Sequence, residues 1–192
     1  MAFTESRAQV LALAHRLIKA RIPRFVACEL VLNHEITMQT LTTDEVQKLG
    51  DGISHWGDID SFACIVSGPA WRTGRIHDGL IRRWAQSDDW CWRRAALVST
   101  VPLNSKARGG QGDASRTLGI CRMLVADRHE MVEKALSWAL RELAKRDSGS
   151  VEAFLAEHVA EIGARVEREV KNKLTTGMKN PRKRLTTRLT PK

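Results

Sequence analysis

The side chains best suited to chemistry in this sequence are tryptophan, aspartate and arginine. Trp56 and Asp60 stand four residues apart, the spacing that brings two side chains onto one face of a helix. A tryptophan ring offers its π face to a cation, and a carboxylate stabilises a developing positive charge or orients a water molecule. Of the two neighbouring acids, Asp58 reads as the cap of the helix that begins here, which leaves Asp60 without a structural task. Acids two apart could also share a cation, but no histidine or further acid follows nearby, so no metal-ligand set is expected.

Trp138 and two arginine groups complete the candidates. On a helical projection of residues 129–145, Met131, Val132, Ala135, Leu136, Ala139, Leu140 and Leu143 make one apolar face, with Trp138 at its edge beside Lys134, Arg141 and Lys145. Two readings of Trp138 stand side by side: a groove residue under a basic rim, or a core-edge ring that extends its N–H to water. Arg93 and Arg94 follow Trp92 and point away from the face formed by Trp92, Ala95 and Ala96. That suits either a solvated surface or a pair that holds phosphates. Several familiar catalytic patterns are absent. His34-Glu35 has Met38 where HExxH needs its second histidine, residues 108–113 lack the Gly-Lys-Ser/Thr ending of a P-loop, and there is no GxSxG elbow. Residues 106–115 therefore read as a flexible glycine-rich connector.

These residues must be positioned by helices. Apolar spacing of i, i+3/i+4, i+7 recurs nearly throughout and predicts helices over 5–20, 25–32, 43–49, 58–66, 77–85, 89–98, 115–125, 129–145 and 151–174. In the last of these, Phe154, Leu155, Val159, Ile162 and Val166 are expected to face inward, and the helix to end through Gly177 and Pro181. Turns fall at Gly50 to Gly52, Gly68-Pro69 and Ser148 to Ser150. Trp56, Trp92 and Trp138 lie 36 and 46 residues apart, near the period of stacked helix pairs. The fold class expected is all-α, a HEAT-like or armadillo-type helical repeat solenoid over residues 1–170, followed by a basic tail over 171–192.

Composition agrees and limits the partners. With 192 residues, 43% hydrophobic and 28% charged, the chain has the make-up of one globular domain, and the absence of any long apolar run points to a soluble intracellular protein. Net charge is +9; residues 171–192 carry eight of the 31 basic residues and none of the 22 acidic ones. Such a block attracts a polyanion, nucleic acid first and an anionic membrane second. Cys28, Cys64, Cys91 and Cys121 are widely spaced among apolar neighbours, as buried free thiols would be.

Three segments in fixed order, His55-Trp56-Gly-Asp-Ile-Asp60, Trp90-Cys-Trp-Arg-Arg-Ala95 and Lys134-Ala-Leu-Ser-Trp138-Ala-Leu-Arg141-Glu142, resemble the AlkD-like DNA alkylation repair proteins, HEAT-like-repeat DNA glycosylases. The resemblance runs along about residues 25–170. It implies groove tryptophans at Trp56 and Trp138, a catalytic aspartate at Asp60 and phosphate-holding arginines at Arg94 and Arg141. Arg93, Lys134, Arg168, Lys171, Lys173, Lys179 and Arg182 complete the expected DNA contacts. It also implies a substrate, double-stranded DNA containing alkylated purines, and a reaction, hydrolysis of the glycosidic bond of a cationic N3- or N7-alkylated base. No lysine accompanies Asp60, so no Schiff base with the sugar is expected. The reading calls for no metal, no cofactor and no membrane, and for a monomer in the cytoplasm on the nucleoid. The chain departs from the family upstream, where one N-terminal helix pair is expected to be missing, at the connector 106–115, and in the basic stretch 165–181. Family members that bind DNA without glycosylase activity supply the alternative, and a scaffold for an acidic protein is a third.

Overall fold

The structure is a computed structural model, described here for residues 6–181. All regular elements among the described residues are helical. In chain order they are α1 (Arg7–Lys19), α2 (Arg24–Leu32), α3 (Glu35–Gln39), α4 (Thr43–Gly50), α5 (Trp56–Phe62), α6 (Gly68–Arg72), α7 (Asp78–Ala85), α8 (Trp90–Ser99), α9 (Val101–Asn104), α10 (Ala114–Met123), α11 (Glu130–Leu143), α12 (Ser148–Glu157) and α13 (Ala164–Thr176). Many starts are set by side chains that accept the orphan amides of the first turn. Ser6 and Thr42 form capping boxes with Gln9 and Glu45, Asp89, Asp113 and Asp147 cap α8, α10 and α12, and the Nδ1 atoms of His55 and His129 cap α5 and α11.

The helices pack as successive pairs. α1 lies on α2, α7 on α8 and α10 on α11, while α2, α5, α8, α11 and α13 follow one another side by side. Several hydrogen bonds between successive elements span similar sequence separations, 34 for Arg24 to Asp58, Asp60 to Arg94 and Arg93 to Asp127, 33 for Arg128 to Glu161, and 32 for Ser67 to Ser99 and Ser137 to Glu169, while others, such as Arg94 to Met131 at 37, span more. The step is therefore shorter than the tryptophan intervals suggest. Trp56 is the first residue of α5, Trp92 the third of α8 and Trp138 the ninth of α11, so the three rings do not occupy equivalent positions.

One core runs the length of the stack, with Trp71, Phe62, Phe154 and Leu136 among its largest buried side chains. Phe62, two residues past Asp60, meets Trp84 at 5.7 Å and Trp92 edge-on at 6.3 Å. Gly50 makes room for this cluster: a Cβ there would lie 2.7 Å from Trp92 Cη2 and 2.9 Å from Phe62 Cζ. Two buried rings, Phe62 and Trp84, and the partly buried Trp92 pack together and give α5 a rigid seat.

Several expectations are corrected. Gly68-Pro69 is not a turn, because α5 continues through a π-helical stretch, Ala63–Ser67, directly into α6. The wider turn accommodates a proline that lacks an N–H to donate. Gly68 is needed for close approach, since a Cβ there would sit 2.6 Å from Pro102 Cγ and 2.8 Å from the Ser99 carbonyl. The connector 106–115 is a stapled loop. Arg146 donates to the carbonyls of Asn104 and Gly110 at 2.9 Å, Arg72 donates to the carbonyl of Gly109 at 3.0 Å, and Gly110 is buried against backbone. The long C-terminal helix is two, broken between His158 and Gly163, and Val159 is 62% exposed in the break instead of facing inward. α13 then runs to Thr176, two residues past the helix end expected from periodicity, and closes at Gly177 in the left-handed conformation (φ +73°).

Candidate nucleic-acid interface

Asp60 and Arg94 form the centre of the site. Arg94 Nε lies 3.0 Å from Asp60 Oδ1 and Nη2 lies 2.8 Å from Oδ2, a bidentate pair from α8 to α5. Its third nitrogen, Nη1, donates to the carbonyl of Met131 in the first turn of α11. One guanidinium thus ties three consecutive helices of the row, which a lysine could not do with a single point charge. Arg94 is buried at 5% exposure, whereas the Asp60 side chain keeps 19% of its surface open. The carboxylate is held in one orientation by the guanidinium, and its side chain keeps part of its surface in solvent.

This overturns the expectation that Arg94 points outward to hold a phosphate. The helix-pair step of 34 residues brings Arg94 opposite Asp60, and its nitrogens are engaged there and on the Met131 carbonyl. Arg93 is committed as well: its Nε donates to Asp127 at 2.7 Å and its Nη1 to the carbonyls of Ser87 and Asp88. Asp58 does not cap its own helix either, because His55 Nδ1 accepts from Gly57 N–H in that place. Asp58 accepts instead from the backbone N–H of Arg24, the first residue of α2, at 3.3 Å.

Of the other expected site residues, Trp56 is 49% exposed at the start of α5, with the His55 ring 5.3 Å away. Trp138 is partly buried and packs against the core from α11. Lys134 pairs with Glu130 at 2.7 Å. Arg141 is half-buried, and its Nε donates to Ser137 Oγ at 3.1 Å. Burial pushes its guanidinium below the usual value, and Glu169 and then Glu142 act in the opposite direction. Arg168 is exposed; Lys171 pairs with Glu167 at 2.6 Å, Lys173 donates to the Gly177 carbonyl, and Lys179 lies 3.4 Å from Glu169. Arg182 lies outside the described residues.

The four cysteines are free and buried, as expected. Burial pushes the thiols of Cys28, Cys64 and Cys91 up to about 12 and that of Cys121 higher still, so none is a thiolate nucleophile at neutral pH. Among the described residues no cluster of histidine, cysteine, aspartate and glutamate could hold a metal ion, and no helix is long and apolar enough to cross a membrane. Sequence reasoning missed the Asp60–Arg94 pair and the stacking of Trp90 on His129 at 4.7 Å. The first carried a signal, an acid and an arginine one helix-pair step apart.

A family model described as DNA alkylation repair enzyme matches residues 2–170, from before α1 to the middle of α13. This chain belongs to the DNA alkylation repair enzyme family. No match was found among curated proteins or solved structures. Membership gives the protein a role in DNA repair and makes DNA its partner, and the match covers every one of the three segments that carry Trp56, Asp60, Arg94 and Trp138.

Proposed function

We propose that this DNA alkylation repair family member is a monofunctional glycosylase that hydrolyses the N-glycosidic bond of cationic N3- or N7-alkylated purines in double-stranded DNA. The observation that carries the reading is Asp60, one helical turn after an exposed tryptophan, with both carboxylate oxygens fixed by a buried arginine and part of its side chain in solvent. Alkylation at N3 or N7 already makes the base a good leaving group, so a strong general acid is unnecessary. The protein's task is to stabilise the positive sugar as the bond breaks. Asp60, pre-oriented by Arg94, supplies negative charge at the developing cation and accepts a hydrogen bond from the attacking water. Trp56 and Trp138 present π faces to the cationic base and sugar.

Arg94 is a positioning residue in this scheme. Arg141, Arg168, Lys134 and the basic residues of α13 and the tail make the backbone contacts, and the reaction requires no cofactor. The protein acts as a monomer on the nucleoid. A second reading, a family member that binds DNA without cutting the bond, is favoured by the same pair seen as a structural lock: Arg94 neutralises Asp60 and ties three helices together. Incubation of the protein with alkylated duplex DNA separates the two. Free methylated purine in the supernatant, with abasic sites left in the duplex, supports the glycosylase; binding without release supports the second reading.

A further inference from the structure

The buried carboxylate of Glu169 has no part in the chemistry above. It is 3% exposed on α13 and faces α11. A carboxylate is stable at that depth only with partners. Ser137 Oγ donates to Glu169 Oε2 at 2.6 Å, Lys179 Nζ lies 3.4 Å from Oε2, and Arg165 Nε lies 3.6 Å from Oε1. Arg141 joins through Ser137, whose hydroxyl oxygen accepts its Nε at 3.1 Å. One anion therefore gathers three cations, from α11, from α13 and from the segment beyond Gly177. Two further acids bear on the group: Glu130 takes part of Arg165 at 3.4 Å, and Glu142, which acts on Arg141 electrostatically, is itself paired with Lys145 at 2.6 Å.

The chain itself is bent to build this cluster. Gly177 reverses its direction, and Asn172 Nδ2 donates to the Lys179 carbonyl at 3.1 Å, so residues 178–181 fold back along α13 and bring Lys179 to Glu169. The side chains of Arg165 and Lys179 remain 39% and 41% exposed, with N–H donors to spare beyond the carboxylate they share. Arg141, the third cation, is one helical turn from Trp138.

We infer that Glu169 is a positioning residue of the DNA contact surface, which gathers Arg141, Arg165 and Lys179 into one phosphodiester-binding cluster beside Trp138 and fixes there the root of the basic tail. The inference rests on the DNA reading above and adds Glu169, Ser137 and Arg165 to it. The test uses the full chain and undamaged duplex DNA over a salt series, with melting temperature recorded for each variant. Glu169→Gln makes the protein more positive by one charge while keeping an oxygen that can accept from Ser137. Bulk charge alone would then tighten binding. A positioning role predicts weaker binding and a slope of log K against log salt that is shallower by about 0.9 to 1.8, one or two lost phosphate contacts.

Arg165→Gln and Lys179→Gln alter partly exposed side chains and keep the test open if Glu169→Gln fails to fold. Each is expected to flatten the slope by about 0.9 in the wild-type background and by less when combined with Glu169→Gln. Tighter binding or an unchanged slope for a folded Glu169→Gln, or unchanged slopes for both cation variants, overturns the inference. If the wild-type protein does not bind duplex DNA at all, the underlying DNA reading falls, an outcome distinct from loss of the Glu169 effect alone.

Discussion

Asp60→Asn probes the chemistry and the scaffold in one substitution. The variant replaces a carboxylate that accepts two charge-assisted bonds by an amide that presents N–H groups to Arg94 on one side, leaving a 5% exposed guanidinium without its counter-charge. Breaking a fully buried ion pair from one side costs about 3 to 5 kcal/mol. Asp60 keeps 19% of its side chain in solvent, which places the cost at the lower end, about 3 kcal/mol. In a chain of this size that lowers the melting temperature by about 6 to 12 °C. Loss of one preorganised charge at the developing sugar cation costs a further ~3 kcal/mol in the transition state, or about a hundredfold in single-turnover excision, with affinity for DNA nearly intact. The double variant Asp60→Asn/Arg94→Met removes the stranded cation and is expected to melt above the single variant while excision stays about a hundredfold down. Calorimetry and single-turnover excision on both proteins read the two effects separately. If excision recovers together with stability, Asp60 serves only as a lock and its catalytic role is refuted. If Asp60→Asn melts within about 2 °C of wild type, the energetic weight given to the pair is wrong.

Three further outcomes follow from the geometry. Trp56→Ala removes a half-exposed ring and is expected to change stability by less than about 0.5 kcal/mol, whereas Trp138→Ala costs less than the roughly 3 to 5 kcal/mol of a core tryptophan; both reduce the preference for lesion over undamaged duplex, measured as a ratio of affinities. Deleting residues 182–192 should weaken binding to any duplex and flatten the salt dependence by about 0.9 per lost contact, with the lesion preference unchanged across the series. Gly110→Ala drives a Cβ to within 2.4 Å of the Pro102 carbonyl oxygen and 2.6 Å of Leu103 backbone, so chemical denaturation should report a loss of about 1 to 3 kcal/mol; an unchanged midpoint would mean the loop is not the staple described.

The helices were legible because their apolar spacing is regular and their starts carry Ser, Thr, Asp or His caps, as at Asp89 for α8 and His129 for α11. Trp138 at the edge of α11 follows directly from a helical projection. What the sequence concealed depends on the contacts between pairs. Gly68-Pro69 has the local chemistry of a turn, yet the packing of Gly68 against Pro102 and Ser99 favours a π-helical continuation. Arg94 lies off the apolar face of its own helix, which says solvent, but the neighbouring pair brings Asp60 over it. Val159 continues an apolar period, and only the break between α12 and α13 turns it outward. The contact of Lys179 with Glu169 was equally hidden, since it depends on a chain reversal at Gly177 that brings Lys179 back ten residues.

The central claim, that this family member breaks a glycosidic bond with Asp60, is tested most directly by chromatography of the bases freed from methylated duplex DNA under single-turnover conditions. Wild-type protein and Asp60→Asn are compared at a temperature where both are folded. The account predicts release of 3-methyladenine or 7-methylguanine by the wild type and about a hundredfold slower release by the variant. Binding of the duplex with no free base released, or equal release by both proteins, would contradict it.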